Sequence, residues 1–258
     1  MSVIRAEGLV KTFQISEKQR KALGIEEKKK TAVDGISFTA KSGEIFGLLG
    51  PNGAGKTTTM RLLSTLIKPD SGDAFFDDVS VVKQPQIVRS RIAFLTTDLK
   101  LDVKSTATGM FDFFAELYHV PKDQVKKRKD ELFEGFHINT FADTKISKLS
   151  QGQRQKVSLA ISVLHDPEFI IFDEPTNGLD IISTRDVRKF ILDMKERDKC
   201  MIISTHLFDL VERVCDRAAM VINGKIAAND TIAALTKDKP LEDTFYDIYI
   251  QHTGGEPK

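Results

Sequence analysis

The eight residues Gly50-Pro-Asn-Gly-Ala-Gly-Lys56-Thr57 restrict this chain more than any other segment of its sequence. A strand-like run, Glu44 to Leu49, precedes them and a helical pattern begins at about Gly55, so the order is strand, glycine-rich turn, helix. Glycines let the backbone N–H groups of such a turn converge, and the positive end of the helix dipole adds to them, which makes an anion site suited to phosphates. Gly50, Asn52, Gly53, Ala54, Gly55, Lys56, Thr57 and Thr58 form the candidate cradle. In this pattern the lysine reaches the β- and γ-phosphates of a nucleotide such as ATP, and the Thr57 hydroxyl ligates Mg²⁺.

A second strand-like run, Phe169 to Phe172, ends in Asp173-Glu174. Isolated, such a pair is an ordinary strand-end turn. Coupled to the upstream loop, it delivers two carboxylates to the carboxyl edge of an α/β sheet, where ligands bind. Asp173 is then the candidate Mg²⁺ holder, and Glu174 the group that polarises an attacking water.

Short strands are predicted at Val3 to Phe13 and Ala32 to Ala40, with the charged segment Ser16 to Lys30 as a solvated hairpin loop between them. Thr106 to Phe136 and Gln151 to Leu164 read as helical; Phe111, Phe113 and Phe114 are expected in their core. Met201 to Ser204 is a further strand, and Asn223-Gly224 marks a hairpin turn between Ala219–Ile222 and Lys225–Ala228.

Composition removes several classes of function. The 38 basic and 37 acidic residues nearly cancel, so the broad positive field of a sequence-independent nucleic-acid binder is missing. Met1 to Val10 lacks the apolar core of a signal peptide, and the apolar runs fall far below the ~20 residues that span a bilayer. Cys200 and Cys215 have neither metal-ligand spacing nor disulfide density, which suits reduced thiols in the cytosol.

Leu149-Ser150-Gln151-Gly152-Gln153, about twenty residues before Asp173, resembles the signature of the ABC ATPases. Ser150 begins a helix whose N–H groups and dipole suit a γ-phosphate. The resemblance spans roughly Val3 to Leu235 and is nearest to the sodium- and drug-exporting subfamily. It implies an α/β fold: a P-loop NTPase core with a mainly parallel sheet, an antiparallel sub-domain from the first forty residues, and a helical sub-domain at about 99–164. The ATPase domain is expected over 1–240, with 241–258 a short C-terminal tail, frayed after Thr253.

The resemblance also implies function. Ser150, Gly152 and Gln153 of one copy face the phosphate loop of another, so ATP joins two copies head to tail. Asp180, in Asn177-Gly178-Leu179-Asp180, lies in the loop that crosses this interface; His206 contacts the γ-phosphate and acts with Glu174 in hydrolysis; Phe13 stacks on adenine. The working partner is a separate multi-span membrane permease, which would hold the chain on the inner face of the cell membrane, with no nucleic acid involved.

Two departures stand out. Thr97, followed by Asp98, replaces a glutamine that in relatives touches Mg²⁺ and links nucleotide to permease; Gln151 replaces the commoner second glycine of the signature. Two other functions compete with ATP-driven transport. A chromosome-type ATPase needs a long coiled coil between loop and signature, whereas fewer than a hundred residues separate Gly50 from Leu149, and translation-type relatives usually carry two such domains. A regulatory module holding ATP without turnover is separated from a motor by phosphate release. The cargo is not written in this chain, since selectivity resides in the permease.

Overall fold

The structure is a computed structural model and describes residues 1–23, 26–96 and 101–255 of the 258. In chain order, β1 (Val3–Gln14), α1 (Glu17–Leu23) and β2 (Lys29–Lys41) lead to β3 (Ile45–Leu49), the phosphate-type loop and α2 (Lys56–Leu63). Then come β4 (Ser71–Phe76), β5 (Val79–Ser80), α3 (Pro85–Arg91) and β6 (Ile92–Leu95). Three helices follow, α4 (Ala107–Leu117), α5 (Lys122–Gly135) and α6 (Gln151–Val163). The chain closes with β7 (Phe169–Asp173), α7 (Ile181–Glu196), β8 (Cys200–Thr205), α8 (Phe208–Val214), β9 (Arg217–Ile222), β10 (Lys225–Thr231), α9 (Ile232–Leu235) and α10 (Leu241–Thr253).

The main sheet has the order β10-β9-β3-β8-β7-β6, parallel except for β10. Both faces are covered, which is why its strands read as unbroken apolar runs. Ile45, Leu49, Ile170, Phe172, Met201 and Ile203 pack toward α6, α7 and α8. Their alternates Phe46, Leu48, Phe169, Ile171 and Ile202 pack toward α2 and the second sheet.

That second sheet, antiparallel, has the order β2-β1-β4-β5. It draws strands from residues 71–80 as well as from the first forty, because Ala74 and Phe76 complete the apolar face built by Ile4, Ala6 and Leu9. The segment predicted as a plain hairpin loop instead carries α1, with Glu17 and Lys21 paired one turn apart at 2.9 Å.

Helices α4, α5 and α6 bury Phe111, Phe133 and Phe136 in a core continuous with the main sheet. Of the three phenylalanines expected inside, Phe111 is buried and Phe114 half-buried, but Phe113 is 59% exposed. Two positions from Phe111 on a helix is the opposite face. The predicted tail at 241 is likewise a helix. Leu241, Phe245, Ile248 and Tyr249 fall on one stripe against the core, Phe208 and Phe245 lie 5.4 Å apart, and the Leu241 N–H donates to Glu212 at 2.9 Å. Among the described residues no helix is long and apolar enough to cross a membrane.

Candidate active site

Three adjacent parallel strands, β3, β8 and β7, end on one edge of the sheet. Leu49 is in register with Thr205, and Asp173 with Ser204, so the residues that follow each strand emerge side by side. Sheet register thereby brings Asp173, Glu174 and His206 together with Gly50, which lies more than a hundred residues before them in the chain.

The loop from Gly50 to Gly55 is held by the Asn223-Gly224 turn. The Gly224 N–H donates to Ala54 O at 2.8 Å, and Gly224 O accepts from the Asp34 N–H at 2.8 Å. Gly55, at φ 109°, is the N-cap of α2 and offers no capping side chain, so the first amides of that helix are left for a ligand. A side chain at Gly55 would also meet Ala32 O at 2.3 Å.

Lys56 is 5% exposed. Its ammonium donates to Gly50 O at 2.6 Å and Pro51 O at 3.2 Å, and lies 3.6 Å from Glu174 Oε1. Burial lowers its pKa below the ordinary lysine value, with Glu174 and Asp173 opposing that shift. The Lys56 cation is therefore already partnered by the loop and by Glu174, and an anion entering the cleft would compete with both.

Asp173 is 1% exposed. Its Oδ1 accepts from Thr57 Oγ1 at 3.1 Å and from Ser204 Oγ in a short hydrogen bond. Thr57 and Asp173 are thus a pair of hard oxygen donors facing one point. Among the described residues no cluster of three or more His, Cys, Asp or Glu exists that would build a cage for a metal by itself. Such a sparse oxygen set fits Mg²⁺, which keeps several waters and shares a nucleotide's phosphates.

Glu174 sits in the left-handed region at φ 52°, uncommon for a residue with a side chain, with its N–H fixed to Ser204 O at 2.9 Å. This turn swings its carboxylate back over the strand ends, where both oxygens lie 3.0 Å from His206 Nδ1 and Oε2 accepts from Thr205 Oγ1 at 3.3 Å. Ser204 and Thr205 were not singled out from sequence. The signal was two hydroxyls ending the apolar run Met201 to Ile203.

Asn52, Gly53, Gly55, Lys56, Thr57, Thr58 and Glu174 line a cleft of about 250 Å³ together with Phe13, Ala32 and Lys30. Phe13 is 41% exposed and lies on β1, in the antiparallel sheet and not in the sheet that carries the carboxylates. Ser150, Gly152, Gln153 and Asp180 do not line this cleft. Ser150 caps α6 in a reciprocal capping box: its hydroxyl accepts from the Gln153 N–H at 3.2 Å, and Gln153 Oε1 accepts from the Ser150 N–H at 2.9 Å. Asp180 caps α7, accepting from the Ile182 and Ser183 N–H groups at 2.9 Å each and from Ser183 Oγ at 2.7 Å. The Ser183 backbone hydrogen bond and its hydroxyl lower the carboxyl's pKa.

The two helix starts touch each other. A side chain at Gly152 would meet Ser183 Oγ at 2.6 Å, one at Gly178 would meet the Gln151 amide at 2.4 Å, and Gln155 donates to Pro175 O at 3.1 Å. The signature helix is thereby tied to the segment that follows Glu174. Thr97 and Asp98 lie outside the described residues.

Comparison with known proteins identifies the family. The family model for the ABC transporter matches residues 33–177. The ABC transporter ATP-binding protein NatA of Bacillus subtilis is 35% identical over 224 residues, covering 86% of this chain and 91% of that protein. The Nod factor export ATP-binding protein I of Paraburkholderia xenovorans is 32% identical over 219 residues, covering 85% of this chain and 71% of that one. Among solved structures, a dimeric ATP-binding cassette in a post-hydrolysis state with ADP and Pi shares the fold at a TM-score of 0.77, with 21% identity over 89% of this chain and 98% of that one. By its loop, its paired strand-end carboxylates and these relatives, the chain belongs to the ABC transporter family, as one of its ATP-binding subunits.

Proposed function

We propose that this chain is the ATP-hydrolysing subunit of an exporter-type ABC transporter, acting as a head-to-tail pair of copies beneath a separate multi-span permease. The observation that carries the reading is the meeting of Lys56, Thr57, Asp173, Glu174 and His206 at one sheet edge, beside a cleft that Lys56, Thr57 and Glu174 line and the Ser150 helix does not. The site then lacks one wall in a single copy. The positive dipole end and remaining first-turn amides of the Ser150 helix of a second copy suit the exposed γ-phosphate.

Hydrolysis follows from what the side chains hold. Lys56 passes from Glu174 and the loop carbonyls to the β- and γ-phosphates, and Phe13 stacks on the base. Thr57 and Asp173 would hold Mg²⁺, which supplies charge neutralisation on the phosphates when bound. Glu174, released from Lys56, accepts the proton of the attacking water. His206 orients that carboxylate through Nδ1, leaving Nε2 for the γ-phosphate. Positioning and fixed charge supply the rate. The export names of the relatives support the direction of transport, and the permease would hold the chain on the inner face of the membrane.

Phosphate release by the purified protein with Mg-ATP, compared with Glu174→Gln, tests the reading. The expected result is loss of turnover by about 10²–10⁴-fold, with ATP binding retained. Turnover in the variant equal to that of the unaltered chain would remove Glu174 from the role of base.

A further inference from the structure

We propose that Lys30 is a nucleotide-binding residue whose ammonium meets the α-phosphate of the adenine nucleotide seated between Phe13 and the Lys56 loop. The inference rests on the nucleotide reading of the cleft. It starts from register: Phe13 of β1 and Lys30 of β2 are direct cross-strand partners in an antiparallel pair. Side chains at such positions stand next to each other on one face of the sheet. Both line the cleft that holds Lys56, Thr57 and Thr58.

Three nearby cations, Lys11, Lys225 and Lys56, are already occupied, and Lys28 and Lys29 do not line the cleft. Lys11 is 2.8 Å from Asp70, with its ammonium 5.9 Å from the Phe13 ring centroid, so it covers one face of that ring. Lys225 is 3.2 Å from Asp34, and Lys56 is spent on the loop and Glu174. Lys30 is exposed and has no ion pair or side-chain hydrogen bond with any of the described residues. A lysine ammonium offers three donors and no acceptor, so it recognises an anionic oxygen and not the edge of a base.

Charge along the ligand then selects the group. Lys56 and the amides at the start of α2 serve the terminal phosphates, while Phe13 marks the base. The anion nearest the base is the α-phosphate, and Lys30 stands on the Phe13 side of the cleft. ATP and ADP both carry that group, so the contact strengthens binding of substrate and product alike.

The test is titration calorimetry of the full chain with Mg-ADP and with Mg-AMP-PNP, at low and at high salt. Lys30→Ala is expected to weaken both ligands by the same factor, about three- to tenfold, with the difference shrinking at high salt. Lys30→Arg should restore most of the affinity and Lys30→Glu should lose more than Lys30→Ala; unchanged melting temperatures check that the fold is intact. Equal affinities of Lys30→Ala and the unaltered chain for both ligands would overturn the inference and leave the cleft reading standing. A loss for AMP-PNP alone would also overturn it, since that moves the contact to the γ-phosphate. Failure of the unaltered chain to bind either ligand would instead bring down the nucleotide reading itself.

Discussion

Gly50→Ala probes how tightly the sheet holds the loop that serves the ligand. A Cβ built at Gly50 lies 2.3 Å from Val221 O, 3.3 Å from Val221 C and 3.4 Å from the Ala54 Cβ. A relaxed carbon–oxygen contact needs roughly 1 Å more than the first of these. β9, which carries Val221, is paired on both sides by β10 and β3, so the loop has to give way. Gly50 O is also the closest acceptor of the Lys56 ammonium, at 2.6 Å, so the displaced loop carries that lysine with it. Overpacking of this kind costs about 1–3 kcal/mol, a fall in Tm of roughly 2–12 °C for a domain of this size. A shift near 1 Å in a positioned group costs up to about 10²-fold in function, so Mg-ADP affinity should fall by about tenfold, between no loss and that ceiling. Thermal melts and calorimetry on the same preparation measure both effects. Gly8→Ala is the control, because Gly8 adopts φ +58° with open space around it and lies outside the cleft. It should lose about 1 kcal/mol of stability and keep its nucleotide affinity. If Gly50→Ala melts within a degree of the unaltered chain and binds Mg-ADP within twofold, the clash argument is wrong.

Two more outcomes follow from contacts outside the cleft. Ser150→Ala removes one half of the capping box on α6 and should lower stability by about 1 kcal/mol; Ser150→Asp, which restores an acceptor at the cap, should recover it in denaturant melts. Asp166 has a carboxyl desolvated by partial burial, yet Arg128 at 2.8 Å and Lys199 at 3.0 Å outweigh that and hold its pKa down at about 2. Its folded pKa lies below its unfolded one, so its stabilisation is complete above about pH 4 and disappears as the pH falls toward 2. The side chain is 45% exposed, so the contribution is set at about 1 kcal/mol after discounting for solvent. Asp166→Asn should flatten that part of the acid limb in pH-dependent melts, and an unchanged limb would rule out the pairing as its source.

Local chemistry was legible from residues in sequence order. The glycine-rich turn between strand and helix, the acids closing Phe169 to Phe172 and the Asn223-Gly224 hairpin each state their backbone in a few residues, because turn geometry and strand ends depend on neighbours in the chain. The helix at 241–253 was legible too, in the spacing of Leu241, Phe245, Ile248 and Tyr249, but a polar run between them masked it. What sequence order cannot contain is the register of non-adjacent strands. Only the pairing of β7 with β8 sets Ser204 and Thr205 as the hydroxyls that hold Asp173 and Glu174, and only that of β1 with β2 sets Lys30 beside Phe13. The assignment of Gly224 as a strut for the phosphate loop is of the same kind. These contacts join residues tens to hundreds of positions apart, and their positions follow from packing and hydrogen bonding of whole sheets, which no local pattern encodes.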